Sequence, residues 1–321
     1  MKAYPFSNSV HCWLDKVEAG ITDALGGDSD MAEAVSGHFE GVHGKRLRPA
    51  LAILAAGALG DITDDALGLA VGIELVHAAT LVHDDVVDGA PTRRGVATPN
   101  AKWGSDYAIL IGDFVFSRAF SVLAGLRNAD IIGALSRAVS RMCEGEWDQL
   151  RSRFGPGPTV EGYRVTISGK TASFMGCCCE CGALLSGAAP DAAKALYDFG
   201  HSLGMAFQIV DDLLDYRGDP QRMGKPVAED VACGVYTLPL IVAIERDESG
   251  ELGELLISAV EDAEARADLV RAVVGSGAIE ASMEIARTYV AEAVESLRYL
   301  PESESKRMLS DLAAFVCDRD Y

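Results

Sequence analysis

The sequence predicts an all-α protein built from long helices, and three observations support this. The 11 prolines leave long stretches without a helix breaker. Those stretches carry apolar residues at three- and four-residue intervals and are rich in alanine, leucine and glutamate. Convincing alternating patterns, which would indicate β-strands, are absent. We therefore expect about ten helices.

The predicted helices follow one another with short connections. They cover residues 9–25, a segment after 28, a segment from 49, then 63–88, 105–126, 129–151, 159–187 and 190–216, with shorter helices after a Gly/Pro loop at 218–236. Pro49 suits a first helical position, because its fixed φ matches the helix and its missing N–H is not needed there. The break FGPGP at 154–158 is too short for a linker between domains. We therefore predict a single domain, residues 1–321.

Composition limits the possible partners and the compartment. The chain has 48 acidic and 28 basic side chains and a formal net charge of −20, which disfavours nucleic acid and anionic membranes as partners. The N-terminus lacks an apolar core of signal-peptide length, and we expect no apolar run elsewhere to be long enough to span a bilayer. We therefore predict a soluble cytoplasmic protein without stable membrane insertion. Four cysteines crowd residues 177–181, which favours small buried thiols over disulfides or a zinc site.

Two aspartate triplets with the same spacing are the most informative motifs. They are Asp84, Asp85 and Asp88 in LVHDDVVDG, and Asp211, Asp212 and Asp215 in QIVDDLLDY. On a helix such carboxylates share a face, and they repel one another unless a cation neutralises them. A single DDxxD is equally compatible with a solvated acidic helix end. Two triplets embedded in apolar sequence favour a metal-bridged anion site instead.

The residue types in the triplets favour magnesium. Each triplet ends a long predicted helix beside an irregular loop, so the two can face each other across one cavity mouth. Oxygen-only ligands disfavour zinc and copper, and neither triplet has the spacing of a calcium-binding EF-hand loop. Magnesium is usually held by one or two carboxylates together with substrate phosphates, so the implied ligand is phosphorylated.

Several cationic and polar residues could bind that phosphorylated ligand. The turn GKRLRP places cations at the start of a helix, where free backbone N–H groups also suit a phosphate, although a basic surface turn is an equal alternative. The candidates are Lys45, Arg46 and Arg48 in this turn, Arg93 and Arg94 after the first triplet, Lys170 in SGKTASF, Lys225 in MGKP, His77 two helical turns before the first triplet, and Gln208 one turn before the second.

These motifs, taken in order, resemble one known family over nearly the whole chain. The matching blocks are GKRLRP, ELVHAATLVHDDVVDGAPTRRG, GDFVFSRAF, CEGEWDQL, GKTASF, FQIVDDLLD, GKP and TLPL. The chain resembles the trans-isoprenyl diphosphate synthase (polyprenyl synthetase) family. The resemblance implies a single bundle of long antiparallel helices around a deep central cavity of the isoprenoid synthase type, and a homodimer.

The resemblance also implies a reaction. It is the magnesium-dependent, head-to-tail condensation of isopentenyl diphosphate with an allylic diphosphate (dimethylallyl, geranyl, farnesyl or geranylgeranyl) to an all-trans polyprenyl diphosphate. Asp84 and Asp88 would bind two Mg²⁺ ions and Asp211 a third, supported by Asp85, Asp212 and Asp215. Arg93, Lys170 and Lys225 would hold the allylic diphosphate, and Lys45, Arg48, His77 and Arg94 the isopentenyl diphosphate. Thr171 and Gln208 would stabilise the allylic cation.

Product length, by the same resemblance, depends on the residues just before the first triplet. Ala79 and Thr80 occupy the positions that act as a cavity floor in the family, and their small size predicts a hexaprenyl to decaprenyl product. Aromatic residues deeper in the cavity could close it earlier, so geranylgeranyl or farnesyl diphosphate remains the alternative. Two positions depart from the family pattern: His43 replaces a glycine, and Val235 replaces a lysine that would contact the allylic phosphate.

Two functions of other classes remain open. A class I terpene cyclase would ionise the same kind of substrate but would not need Lys45, Arg48 and Arg94. A non-catalytic subunit of a heteromeric synthase could lose its metal ligands, yet both triplets are complete.

Overall fold

A computed structural model describes residues 4–40, 44–155, 158–217 and 229–318, and it confirms the all-α architecture. The first ten helices are α1 (Asn8–Leu25), α2 (Asp30–Phe39), α3 (Leu47–Leu59), α4 (Asp64–Val87), α5 (Pro99–Trp103), α6 (Ser105–Gly125), α7 (Ala129–Ser152), α8 (Val160–Ile167), α9 (Ser173–Leu185) and α10 (Pro190–Arg217). Shorter helices follow: α11 (Glu229–Ala232), α12 (Leu238–Arg246), α13 (Glu251–Ala259), α14 (Ala263–Gly275), α15 (Ala278–Ser296) and α16 (Glu304–Cys317).

The helix predicted at 159–187 is wrong in one respect, because it is not continuous. A π-helical turn, Ser168–Ala172, separates α8 from α9. The cause lies in neighbouring helices and is described with the site. Helix α3 also begins two residues earlier than expected, at Leu47, so that Pro49 is its third residue. Proline is tolerated there because the first four N–H groups of a helix have no partner within it.

A small β-hairpin, which was not among the predicted elements, follows the first triplet. Strands β1 (Thr92–Arg93) and β2 (Val96–Ala97) pair antiparallel, with Arg93 opposite Val96. The two residues between them, Arg94 and Gly95, have φ values of 51° and 79°. Two consecutive left-handed residues suit the twist of a two-residue hairpin connection. The hairpin therefore determines how the two arginines after the triplet are presented.

Helix α9 lies at the centre of the bundle, between α3, α7 and α10. Every residue from 173 to 179 is buried, which confirms that the crowded cysteines are buried thiols. Small residues permit this close packing: a Cβ added at Gly182 would lie 2.4 Å from the carbonyl oxygen of Ala52. The Sγ atoms of Cys177 and Cys181 lie 3.7 Å apart, and burial raises the pKa of Cys178 and Cys179. These thiols are consequently poor nucleophiles.

One continuous cluster of buried apolar side chains runs from Val10 in α1 to Val316 in α16. Helices α1 and α16 both pack against α3, so the two ends of the chain share one core. This arrangement supports the single domain, residues 1–321, as a proposal.

The expectation that no apolar run could span a bilayer is corrected. Helices α4 and α6 are both long and apolar enough by length and composition. For α4 the core explains this, since 61% of its apolar window is buried; for α6 only 33% is buried. Tyr107, Ile109 and Leu110 of α6 are exposed on this chain. The apolar face of α6 therefore needs an explanation outside the core of one chain.

Candidate active site

The first aspartate triplet lies where α4 ends. Asp88 caps the helix by donating its backbone N–H to the carbonyl oxygen of Asp84 at 2.8 Å. Gly89 follows with a φ of 62°, which turns the chain out of the helix. The three carboxylates have different partners. Asp85, 2% exposed, accepts a hydrogen bond from Nε of Arg93 at 2.8 Å, and Nη2 of the same guanidinium lies 2.8 Å from the same oxygen. Asp84 and Asp88, one turn apart, have other cationic neighbours.

A second arginine, which no motif in the sequence marks, also contacts this triplet. Arg153, at the C-terminal end of α7, donates to Asp88 Oδ1 at 2.7 Å. Burial raises the pKa of Asp84 to about 6, although the Lys170 ammonium opposes this; the Glu146 carboxylate raises it further. The charge of Asp84 is therefore poorly compensated by the protein alone, as expected of a carboxylate that binds a divalent cation.

Lys170 is held by two side chains of α7 that were also missed. Its Nζ lies 2.6 Å from Glu146 Oε2 and donates to Gln149 Oε1 at 2.7 Å. The two partners are three residues apart in CEGEWDQL and so share one helix face, which is the signal that could have identified them. An ammonium has three N–H donors, so these two contacts leave one for a phosphate oxygen.

The π-helical turn brings Lys170 and Thr171 to the site. Two glycines from neighbouring helices permit it. A Cβ at Gly145 of α7 would lie 2.6 Å from the backbone nitrogen of Lys170, and a Cβ at Gly204 of α10 would lie 2.6 Å from Cα of Ala172. A larger residue at either glycine would displace the turn. Such turns are found often at functional sites.

The second triplet lies near the C-terminal end of α10. Asp212 is 7% exposed and accepts hydrogen bonds from the Tyr163 hydroxyl at 2.6 Å and from Gln208 Nε2 at 2.8 Å. The Oε1 atom of Gln208 accepts a hydrogen bond from the Thr171 hydroxyl at 2.8 Å. Burial raises the pKa of Asp212 to about 8, while the hydrogen bonds from Tyr163 and Gln208 lower it. The structure thus joins Thr171 and Gln208, the two residues expected to stabilise the allylic cation, and adds Tyr163.

A second group of predicted residues meets between α3 and α4. Arg48 lies within hydrogen-bond distance of His77, with Nη1 and Nε2 3.1 Å apart. Burial, followed by the charge of Arg48, lowers the pKa of His77 well below its usual value, so the ring is neutral. Because its Nε2 accepts from arginine, the ring hydrogen lies on Nδ1. Within the described residues, Arg48 Nε and His77 Nδ1 are buried without a hydrogen-bond partner. Two such donors fit a ligand with acceptor oxygens.

A cavity of about 60 Å³ adjoins His77. His77, Arg93 and Arg94 all line it. Gly44 makes room for one of these arginines, since a Cβ there would lie 2.8 Å from Arg94 Nη1. Both arginines of the hairpin therefore face the same cavity in this structure, although different diphosphates were expected for them.

The charge of Arg46 is balanced by carboxylates of the protein, so Arg46 has a structural role. It precedes α3 with a left-handed φ of 50°. Its guanidinium donates to Glu18 of α1, with Nη2 to Oε2 at 2.7 Å, and to the buried Glu74 of α4 at 2.5 Å. These charge-assisted bonds tie the GKRLRP turn to two helices. The turn, and with it Arg48, is consequently held in place.

For three further predicted residues the structure gives the exposure of the side chain. Asp211 is exposed and Asp215 half-buried near the end of α10, and Lys45 is exposed before α3. Lys225 and His43 lie outside the described residues, so their predicted roles stay predictions.

The loop that carries Val235 packs on the end of α7. Phe154 donates its backbone N–H to the carbonyl oxygen of Gly234 at 3.2 Å. Both residues have positive φ, 56° and 72°, and a Cβ at Gly234 would lie 2.7 Å from the Phe154 ring. This contact places Gly234 next to Phe154, the residue that follows Arg153.

The residues expected to control product length lie on α4. Ala79 is fully buried and Thr80 half-buried. One turn after Ala79, the ring of His83 packs against Phe116 of α6 with ring centroids 5.9 Å apart, and Phe116 stacks on Phe120 at 6.3 Å. Helices α4 and α6 pack along their length, so two aromatic rings lie close to the predicted floor.

The donor set of the two triplets fits magnesium. Across residues 4–40, 44–155, 158–217 and 229–318, no three His, Cys, Asp or Glu side chains form a preassembled metal cluster. Magnesium does not require one, because one or two carboxylates and substrate phosphates usually hold it. Asp84 and Asp88, one helical turn apart beside cations that suit phosphate, provide such carboxylates.

A helical bundle with two aspartate triplets and cations clustered beside the first is typical of an enzyme of the isoprenoid synthase type. The family model described as polyprenyl synthetase matches residues 30–275. The chain belongs to the polyprenyl synthetase family, as its motifs predicted.

Named relatives and solved structures agree with this membership. The chain is 35% identical to the octaprenyl diphosphate synthase of Escherichia coli (strain K12) over 307 residues, 95% of each chain. It is 36% identical to the heptaprenyl diphosphate synthase component 2 of Geobacillus stearothermophilus over 284 residues, 88% of each. The decaprenyl diphosphate synthase structure from Rhodobacter capsulatus superimposes with a TM-score of 0.88 at 32% identity, covering 97% of both chains. A geranylgeranyl pyrophosphate synthetase structure from Pyrococcus horikoshii gives 0.88 at 30%, covering 97% of this chain and 98% of that one.

Proposed function

We propose that this chain is a trans-polyprenyl diphosphate synthase that condenses isopentenyl diphosphate with an allylic diphosphate. The observation that carries the proposal is the pair of buried donors, Arg48 Nε and His77 Nδ1, which have no partner among the described residues. They would give an anion a second set of donors, in addition to the cations that contact the first aspartate triplet. A terpene cyclase, which uses one diphosphate, would have no need for a second anion site. The complete triplets likewise argue against a non-catalytic subunit.

The residues divide the work as follows. Magnesium, proposed as three ions per site, would supply charge that neutralises the departing diphosphate. Asp84, Asp88 and Asp211 would hold it, with Asp85, Asp212 and Asp215 in support. Arg93, Lys170 and Lys225 would hold the allylic diphosphate. Lys45, Arg48, His77 and Arg94 would hold isopentenyl diphosphate and aim its double bond at the allylic carbon. Thr171 and Gln208 would face the allylic cation with oxygen dipoles.

The product is proposed to be a medium or long all-trans chain, hexaprenyl to decaprenyl. The small, buried Ala79 supports this, and so do the products in the names of the relatives from Escherichia coli and Rhodobacter capsulatus. Geranylgeranyl diphosphate is the rival product. We also propose a cytoplasmic location, which the net charge of −20 supports by disfavouring anionic membranes.

One incubation tests the reaction class. The purified chain is mixed with isopentenyl diphosphate, Mg²⁺ and each allylic primer in turn, and the products are sized by chromatography. We expect elongation to products longer than geranylgeranyl diphosphate. An allylic primer alone should give no hydrocarbon, whereas a terpene cyclase would release one. Elongation that needs a second subunit would favour the heteromeric arrangement, which the name of the Geobacillus relative suggests. A chain inactive with every primer, alone and with such a subunit, would contradict the proposal.

The exposed face of α6 supports a homodimer. Tyr107 and Leu110, three residues apart and 65% and 57% exposed, share one apolar face of α6, and Ile109, 44% exposed, lies next to that face. A second copy of this chain is the proposed occupant, because a patch on a rigid helix can pair with itself about a two-fold axis. Such a contact would remove this surface from water.

A charged substitution in this patch is expected to separate the two copies. By light scattering, the wild type should have twice the 33.9 kDa mass of one chain. Leu110→Glu should shift the mass to that of one chain, because a buried, unpaired carboxylate is costly. The matched control is Ile257→Glu on α13, an equally apolar residue that is 77% exposed and should leave the mass unchanged. A dimeric Leu110→Glu variant would place the interface elsewhere.

A further inference from the structure

A chain of hydrogen bonds links α8 to the reaction centre through α10. It runs from Tyr163 of α8 to Asp212, from there to Gln208 on the same face of α10, and ends at Thr171 in the π-helical turn. The three donor–acceptor distances are 2.6, 2.8 and 2.8 Å. Tyr163, Asp212 and Thr171 are 8%, 7% and 7% exposed, so water does not compete strongly for these bonds.

The donor and acceptor of each hydrogen bond in this series are determined by the hydrogen bond before it. The Tyr163 hydroxyl donates to Oδ2 of Asp212, and Oδ1 of Asp212 accepts from Nε2 of Gln208. Oδ1 is an acceptor in the ionised carboxyl and equally in a carboxyl whose proton lies on Oδ2. The amide of Gln208 must therefore turn its NH₂ group toward Asp212. Its carbonyl oxygen then faces Thr171 and can only accept. The Thr171 hydroxyl, which has a single hydrogen, must donate it to Gln208.

This direction determines the polarity that Thr171 offers to the reaction. With its hydrogen committed to Gln208, the hydroxyl oxygen keeps its lone pairs for the side away from the amide. A lone pair stabilises a developing allylic cation, whereas a hydroxyl hydrogen pointed at the cation would repel it. The turn has little room to shift, because Gly145 packs closely against Lys170 and Gly204 against Ala172, the two neighbours of Thr171.

We propose that Tyr163 and Asp212 are positioning residues that fix the orientation of the Gln208 amide and thereby hold the Thr171 hydroxyl with its oxygen toward the allylic cation. This inference rests on the proposed function. It gives Asp212 a task distinct from metal support, and it gives Tyr163 a role in the chemical step through its hydrogen bond to Asp212.

A double-mutant cycle tests the proposal. Tyr163→Phe removes the hydroxyl and should lower kcat about tenfold, as for the loss of an outer-shell hydrogen bond, while KM for both diphosphates and the Mg²⁺ requirement stay unchanged. In a Thr171→Val background, where there is no hydroxyl to orient, the same substitution should cost less than about twofold. In a Thr171→Ser background, which keeps a hydroxyl, the tenfold loss should return. Asp212→Asn is a second probe, because the asparagine NH₂ group can donate to Gln208. The hydrogen bonds from Gln208 to Thr171 would then run in the opposite direction.

A buried tyrosine outside this chain provides the control. The Tyr216 hydroxyl lies 3.5 Å from Thr237 Oγ1, and Tyr216→Phe should leave kcat near that of the wild type. A tenfold loss for Tyr163→Phe in all three Thr171 backgrounds would show a general structural effect and overturn the proposal, as would an unchanged kcat in the wild-type background. If the wild type itself elongates no primer, the proposed function fails first, and that outcome is distinct from these.

Discussion

Asp84→Asn should lower kcat by about three orders of magnitude, which corresponds to about 4 kcal/mol of activation free energy. The amide keeps the shape of the side chain but removes the charge that would hold a magnesium ion. Stability should change in the opposite direction. Burial raises the pKa of Asp84 to about 6, so above that pH the ionised carboxyl destabilises the metal-free fold. We therefore expect an equal or higher melting temperature at pH 7 without metal. Steady-state kinetics over a range of Mg²⁺ concentrations and thermal unfolding measure both effects.

Asp65→Asn is the matched control for this substitution. Asp65 is an exposed carboxylate in the first turn of the same helix, far along α4 from the triplet. Its variant should keep wild-type turnover. Near-normal turnover of Asp84→Asn would remove this carboxylate from the metal site, and loss of activity together with loss of folding would indicate a purely structural role.

Ala79→Phe should shorten the product by at least one isoprene unit and leave the first condensation intact. Ala79 lies five residues before Asp84 on α4. One helical turn after Ala79, the ring of His83 packs against Phe116 of α6. A phenyl ring there would extend into the space that a growing chain must enter. Because the site is fully buried, the ring also costs about 1–3 kcal/mol of stability if it cannot reach that space. Chromatographic sizing of the products and thermal unfolding separate the two effects.

A size series at the same position provides the control. Ala79→Ser keeps a small side chain and should give the wild-type product. Ala79→Leu should give a product whose length lies between those of the serine and phenylalanine variants. Phe114 is a contrasting aromatic on α6. Its ring lies 4.9 Å from the Arg118 guanidinium, which in turn reaches the carbonyl oxygen of Gly26 after α1. Phe114→Leu should therefore leave the product length unchanged. An unchanged product in Ala79→Phe would place the floor elsewhere, with Phe116 the first candidate.

Much of the helical architecture could be predicted because its signals are local. The segment predicted at 105–126 is observed as Ser105–Gly125, and that at 129–151 as Ala129–Ser152. Apolar periodicity and breaker residues are contained within each such segment. The π-helical turn could not be predicted in this way. It depends on Gly145 and Gly204, which belong to other helices and meet the turn only after the chain has packed.

The same distinction applies to the site. The two triplets and the cations after them were recognisable from residue type and spacing. Their pairing was not: Arg153 reaches Asp88 across 65 positions, and Tyr163 reaches Asp212 across 49. No short motif marks either contact. Glu146 and Gln149 were closer to recognition, since their spacing inside CEGEWDQL already places them on one helix face.

The sequence by itself determined the all-α class, the two aspartate triplets and the family, because helical period and the order of charged residues are properties of the chain. Only the tertiary structure decided what each carboxylate does. Asp85 faces Arg93, Asp84 keeps a charge that Lys170 does not fully neutralise, and Asp212 orients an amide. Burial and the choice of partner separate these aspartates, and both arise only when helices distant in sequence pack together.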